Sequence, residues 1–206
     1  MTLAVLPMLL CLLCACSSKE KTIQAPMEFR TNLLKAGACT FSLHATEEFD
    51  DRVYDFSLAC TCQTDGTTEA TVSAPESISG ISARTDGKTG ELICEGTVLS
   101  FGVNPDARLA PLAVPSTLVN AWAGGYIASS GKDGAEECTV YELGYGDDTL
   151  KVYTWSSAGG VPLRVELALN GEVLCRGDLS DFQFTGGNNE AAETNLGGRV
   201  PGQSGS

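Results

Sequence analysis

The sequence predicts an α+β fold: a curled antiparallel sheet, an unclosed barrel of about ten strands, with helices covering its concave face. Three observations carry this. Short segments of period two, parted by Gly, Asp and Asn turns, recur from Cys39 to Phe184. Only two stretches break that rhythm with helical spacing. Finally, open sheets with this many strands twist until they curl or close.

The first element is not part of the fold. An apolar run begins at Leu3, ends in Leu12-Leu13-Cys14-Ala15-Cys16 and turns at once to Ser-Ser-Lys-Glu-Lys. Its roughly thirteen residues fall short of the ~20 that a spanning helix needs, and suit a secretion signal. Leu13, Ala15 and Cys16 resemble a bacterial lipobox, with cleavage after Ala15 and a diacylglyceryl group on the Cys16 thiol. Cys11 and Cys14 each follow a Leu, too large for the small-residue pocket of a signal peptidase. No Lys or Arg precedes the run, which places the expected true start upstream of Met1. The chain therefore divides into a signal (1–15), a lipidated polar tether (16–25), one domain (26–185) and a tail (186–206) too poor in bulky apolar residues to order itself.

Pro26 opens the first helix, with Phe29, Leu33 and Leu34 near helical spacing, Lys35 in the last turn and Gly37 as a stop. From Cys39 the period is two. Cys39, Phe41, Leu43 and Ala45 share a face, as do Tyr54, Phe56, Leu58, Cys60 and Cys62 after the acidic turn. Further strands are expected near 68–74, 79–85, 90–95 and 97–102, then a crossing loop over 103–114. A second helix follows Pro115, with Leu118, Val119, Trp122 and Tyr126 on one side and Gly124-Gly125 ending or loosening it. The remaining strands are ECTVYELGY, TLKVYTWSS, PLRVELAL and EVLCRG, with DLSDFQF last; Asn170-Gly171 is the strongest hairpin signal.

Composition narrows the function. The net charge of −13 sits wholly after the signal and repels phosphate backbones, so nucleic acid is excluded as a partner. The membrane is met through acyl chains and not through a basic patch. Of nine cysteines, Cys39, Cys60, Cys62, Cys94, Cys138 and Cys175 remain after cleavage besides the lipidated Cys16. All six lie in apolar strand-like runs, which favours free buried thiols over disulfides, although an exported chain permits both.

The lipid-anchored start, "DRVYDFSLACTC", "APESISGISA", the Trp-bearing helix and "PLRVELALNGEVLCRGDLSDFQF" together resemble the LolA/LolB-type lipoprotein carrier fold over about residues 26–185. The nearest likeness is to small lipoproteins of Gram-positive bacteria, including the germination type. The resemblance implies an unclosed barrel whose helix-covered face holds a lipid or acyl chain. Arg52, Arg84 and Arg164 lie on strands or turns, with no motif that selects any of them as the Arg that latches a carrier's lid.

Enzyme chemistry is not expected. His44 is the only histidine and shares a polar strand face with Thr40 and Ser42, and no nucleophile elbow, P-loop or zinc motif occurs. Glu47, Glu48, Asp50 and Asp51 read as a solvated turn, without the ligand spacing of a calcium loop. No cofactor or metal is called for. Phe41, Phe56, Leu58, Trp122, Tyr126 and Trp155 are the candidate lining of an apolar-ligand pocket, against the alternative that they fill the core. Tyr153 and Trp155 oppose Leu150 and Val152, so that part of the sheet is apolar on both faces: doubly buried, or a patch that meets a partner. The expected protein is a membrane-anchored, extracytoplasmic envelope lipoprotein. It either binds a lipid or acyl chain, or is an interaction module that positions or activates an envelope or germination enzyme.

Overall fold

A computed structural model describes residues 17–49, 52–86, 89–102, 111–144, 146 and 149–186. The lipidation position Cys16, the signal and the tail from residue 187 lie outside them. Helix α1 (Ser17–Ala36) leads into strands β1 (Ala38–Phe49), β2 (Arg52–Gln63), β3 (Thr68–Ala74), β4 (Ser82–Thr85), β5 (Thr89–Cys94) and β6 (Thr97–Gly102). Helix α2 (Val114–Gly124) precedes β7 (Tyr126–Asp133), β8 (Glu136–Leu143), β9 (Leu150–Ser156), β10 (Pro162–Leu169) and β11 (Glu172–Thr185).

All eleven strands form one antiparallel sheet in the order β6-β5-β4-β3-β2-β1-β11-β10-β9-β8-β7. Each half is a meander, and the β1–β11 pair joins them. The sheet does not close, because β6 and β7 are its two edges. It does curl. Laid flat, β3 and β8 would stand about 29 Å apart at the usual strand spacing, yet α2, a cylinder of about 11 Å, touches β2, β3 and β8. One short helix spans that distance only if the sheet wraps toward it.

The alternation read from the sequence sets the inner face. Cys39, Phe41, Leu43 and Ala45 of β1 and Phe56, Leu58, Cys60 and Cys62 of β2 are all buried, while His44, Ala59 and Thr61 point outward and are exposed. Asn170-Gly171 forms the expected tight turn, both residues with positive φ (54° and 85°).

The structure corrects several expectations. There are eleven strands and not about ten: Tyr126–Asp133 forms β7, a polar edge strand whose Ser, Gly, Lys and Asp residues carry no apolar alternation, while EVLCRG and DLSDFQF run on as the single strand β11. Helix α1 begins at Ser17, within the span read as a tether, and contains Pro26, which is the first buried residue among its described side chains. Glu47 is not a solvated turn residue but is 8% exposed on the inner face of β1. Glu48, Asp50 and Asp51 belong to the segment whose side chains are not described. The thiols are unpaired, but only Cys39, Cys60, Cys62 and Cys175 are buried; Cys138 is half-buried and Cys94 exposed.

Candidate functional site

The site is built where α1 and α2 meet the inner face. In α2, Val114, Leu118, Val119 and Trp122 recur at helical spacing and are at most 1% exposed. The helix stops at Gly124. Gly125 follows in an extended conformation, and a Cβ there would stand 2.7 Å from the Ala121 carbonyl oxygen. From α1, Phe29 and Leu33 turn inward one helical turn apart.

Trp122 is the centre of an aromatic cluster. Its ring meets Phe29 and Phe41 edge-on at 5.8 Å and Phe182 at 6.1 Å, all within the favourable range for such pairs. Its indole Nε1 donates to the Thr154 hydroxyl at 3.0 Å, which satisfies a donor that burial would otherwise strand. Beside Phe29, between α1 and β8–β9, a cleft among the described residues measures about 10 Å³, room for about one water.

A polar clasp holds the two helices together. Arg30 donates from Nε to the Trp122 carbonyl at 2.8 Å and from Nη2 to the Gly125 carbonyl, with a longer 3.4 Å contact to the Ala121 carbonyl. These are carbonyls at the C-terminal end of α2, where a cation complements both the unpaired acceptors and the helix dipole. The guanidinium also lies 5.8 Å from the Tyr141 ring centre. Burial pushes the Tyr141 phenol up to about 12, against a smaller downward pull from Arg30.

The other buried titratable groups are raised by desolvation. Cys39, Cys62 and Cys175 are pushed up to about 12, and Cys60 still further, so all four behave as apolar packing and not as nucleophiles. Glu47 is likewise raised by burial.

Of the six predicted lining residues, Phe41, Phe56, Leu58 and Trp122 are brought together in the interior. Tyr126 is not: the helix ends before it, and on β7 it is 70% exposed. Trp155 is not either. It lies on the outer face, stacked on Tyr153 at 6.1 Å, beneath Arg164 at 4.6 Å, and donating to Asp133 at 2.8 Å. Tyr153 and Trp155 are half-buried there, so this strand pair is not fully buried on both faces. Sequence reasoning missed Phe29, Leu33, Phe182 and Arg30. Phe29 and Leu33 carried a helical signal, whereas nothing in the sequence marked Arg30 as facing another helix.

Two further arrangements bear on chemistry. His44 lies 3.1 Å from Ser57 Oγ through Nδ1 and 3.2 Å from Asp55 through Nε2, the Ser–His–Asp order of a hydrolytic triad with the two ring nitrogens exchanged. The group sits on the open outer face with the His44 and Asp55 side chains more than half exposed, and the neighbouring backbone N–H groups belong to a paired ladder instead of an oxyanion hole. Among the described residues no group of His, Cys, Asp and Glu converges as metal ligands, and no helix is long and apolar enough to cross a membrane.

No protein-family model matches the chain, and no curated protein sequence does. Among solved structures, it is similar to a LolA superfamily protein from Nitrosomonas europaea, at 11% identity and a TM-score of 0.44, covering 76% of this chain and 93% of that one. It is also similar to a domain from Vibrio parahaemolyticus described as outer membrane lipoprotein-sorting, at 13% identity and a TM-score of 0.45, covering 84% and 95%. A third is LprF from Mycobacterium bovis, at 11% identity and a TM-score of 0.38, covering 79% and 93%. The fold described above rests on strand order and packing alone.

Proposed function

We propose that this chain is a membrane-anchored envelope lipoprotein whose interior receives an apolar ligand, a lipid or acyl chain, when α2 lifts from the sheet. The observation that carries the reading is the Arg30 clasp. It holds the end of a helix whose buried side chains are Val, Pro, Leu, Ala and Trp, over an inner face that is mostly apolar. Val114, Leu118, Val119 and Trp122 hold α2 down at about 1.5–3 kcal/mol each, roughly 6–12 kcal/mol in all. Opening is therefore rare unless an acyl chain covers the same surface, and a ligand that does so selects the open state. The reading includes no catalytic step. The acidic body, lipidated at Cys16, stands off anionic headgroups and is held by its acyl chains.

Protein purified from membranes and extracted with organic solvent should yield non-covalent lipid near one molecule per chain; lipid-free protein would count against the reading. Cys16→Ser should move the protein from the membrane to the soluble fraction.

A second reading is an interaction module that positions or activates an envelope enzyme. The outer shelf of Tyr153, Trp155 and Arg164 supports it, since these residue types dominate interface hot spots. A stoichiometric protein partner lost on Trp155→Ala, without bound lipid, would favour it.

A further inference from the structure

A concavity lies on the side of the sheet away from the helices. A groove of about 390 Å³ crosses β11, β1, β2 and β3. Its volume lies within the range of small-molecule sites.

A bulge creates it. Thr40 pairs with Gln183, but Ser42 pairs with Ser180, so Phe41 faces two residues of β11, Asp181 and Phe182. Asp181 takes φ +55°, a left-handed conformation that Asp and Asn tolerate better than most residues. The extra residue bends β11. Phe182 still reaches the interior cluster, while Asp181 stays on the outer face and accepts from the Ser180 hydroxyl at 3.1 Å and, at a longer 3.4 Å, from Ser42. On β1–β3 the outer lining side chains other than Glu69 are short, including Ala59, Thr40, Thr61 and Thr71, so the bend leaves open volume.

The lining selects a chemistry. It contains no Lys or Arg, which disfavours anions, and it contains two carboxylates, Glu69 and Asp181. The threonine hydroxyls and the Gln183 amide each both donate and accept. Among the described residues, none partners the side chains of Thr40, Thr61, Thr71, Glu69 or Gln183. Alternating donors and acceptors, flanked by negative charge, fit vicinal hydroxyls and an amine.

We propose that this outer groove binds a neutral or amine-bearing sugar unit, a function separate from the interior site. The test is a titration of the full chain, held in a detergent without a sugar headgroup, followed by amide chemical shifts. Glucosamine, glucose, glucuronate and calcium chloride are the probes. Glucosamine and glucose should give saturable shifts at Thr40–Ser42, Ala59–Thr61 and Ser180–Gln183, with glucosamine bound about tenfold more tightly, while glucuronate gives none. Asp181→Asn keeps a residue suited to positive φ and should remove that preference while glucose binding changes little. Thr61→Val should weaken both sugars. Shifts outside the groove, equal binding of glucuronate, response to calcium alone, or no saturable response to either sugar would each overturn the proposal.

Discussion

Arg30→Met removes the clasp while keeping an unbranched apolar stem in its place. The loss can be worked from the geometry. Two of the three contacts matter, those to the Trp122 and Gly125 carbonyls, because the Ala121 contact is long and that carbonyl already accepts from the Gly125 N–H at 2.9 Å. Charged hydrogen bonds contribute about 1.5–3 kcal/mol each, and a cation at a helix C-terminus about 0.3–1 more. Arg30 is only half-buried, so water replaces part of this, and a net loss of about 2 kcal/mol remains. If that loss falls on the seating of α2, its opening equilibrium rises roughly 30-fold. Amide exchange of the α2 residues measures the opening directly, with urea unfolding giving the global loss. Arg30→Lys should recover less than half, because an ammonium cannot fork between carbonyls of different residues. Unchanged exchange in α2, with a global loss below about 0.5 kcal/mol, would refute the clasp.

Glu47→Gln should raise the urea midpoint at pH 7 and leave it unchanged near pH 4. Burial raises the carboxyl, so the fold favours its protonated form; that contribution is full below the unfolded value and is lost as pH rises through the folded one. Equal effects at both pH values would contradict this. At alkaline pH the thiols act with the same sign: the unfolded chain releases protons near 9 that Cys39, Cys62 and Cys175 hold to about 12. Stability should fall by up to roughly 4 kcal/mol per pH unit above that point, read as a falling urea midpoint. A thiol reagent at neutral pH, applied to a chain beginning at Ser17, should label Cys94 at once and Cys138 more slowly, and the four buried thiols only on unfolding. Gly177→Ala should cost about 1–3 kcal/mol, since its Cβ would stand 2.6 Å from Leu43 Cδ1, inside a fully buried core. Thermal unfolding checks it, and a neutral result would mean that Leu43 has room to move.

The sheet was legible because alternation is a local signal. Cys39 to Ala45 and Phe56 to Cys62 each wrote their buried face in sequence, and Asn170-Gly171 wrote its turn. Strand β7 left no such mark: at an edge, most of its side chains face water and nothing forces alternation. Tyr126 was misplaced because it extends the helical spacing of Trp122, while the chain leaves the helix at Gly124 and crosses Gly125 in extended form. Trp155 was misplaced for the converse reason. Its strand is apolar on both sides, and sequence alone does not say which side the helices cover; the buried partners are Val152 and Thr154. The clasp was illegible in principle, since Arg30 and Trp122 are 92 residues apart and meet only through the curl of the sheet.

The central claim is that the space beneath α2 opens to an acyl chain. Native mass spectrometry of the delipidated protein titrated with oleate, for wild type and Arg30→Met, tests it most directly. The account predicts one oleate per chain in both, with affinity in the variant raised by the same roughly 30-fold factor as its opening equilibrium. No bound oleate in either protein, or equal affinity despite faster exchange in α2, would contradict it.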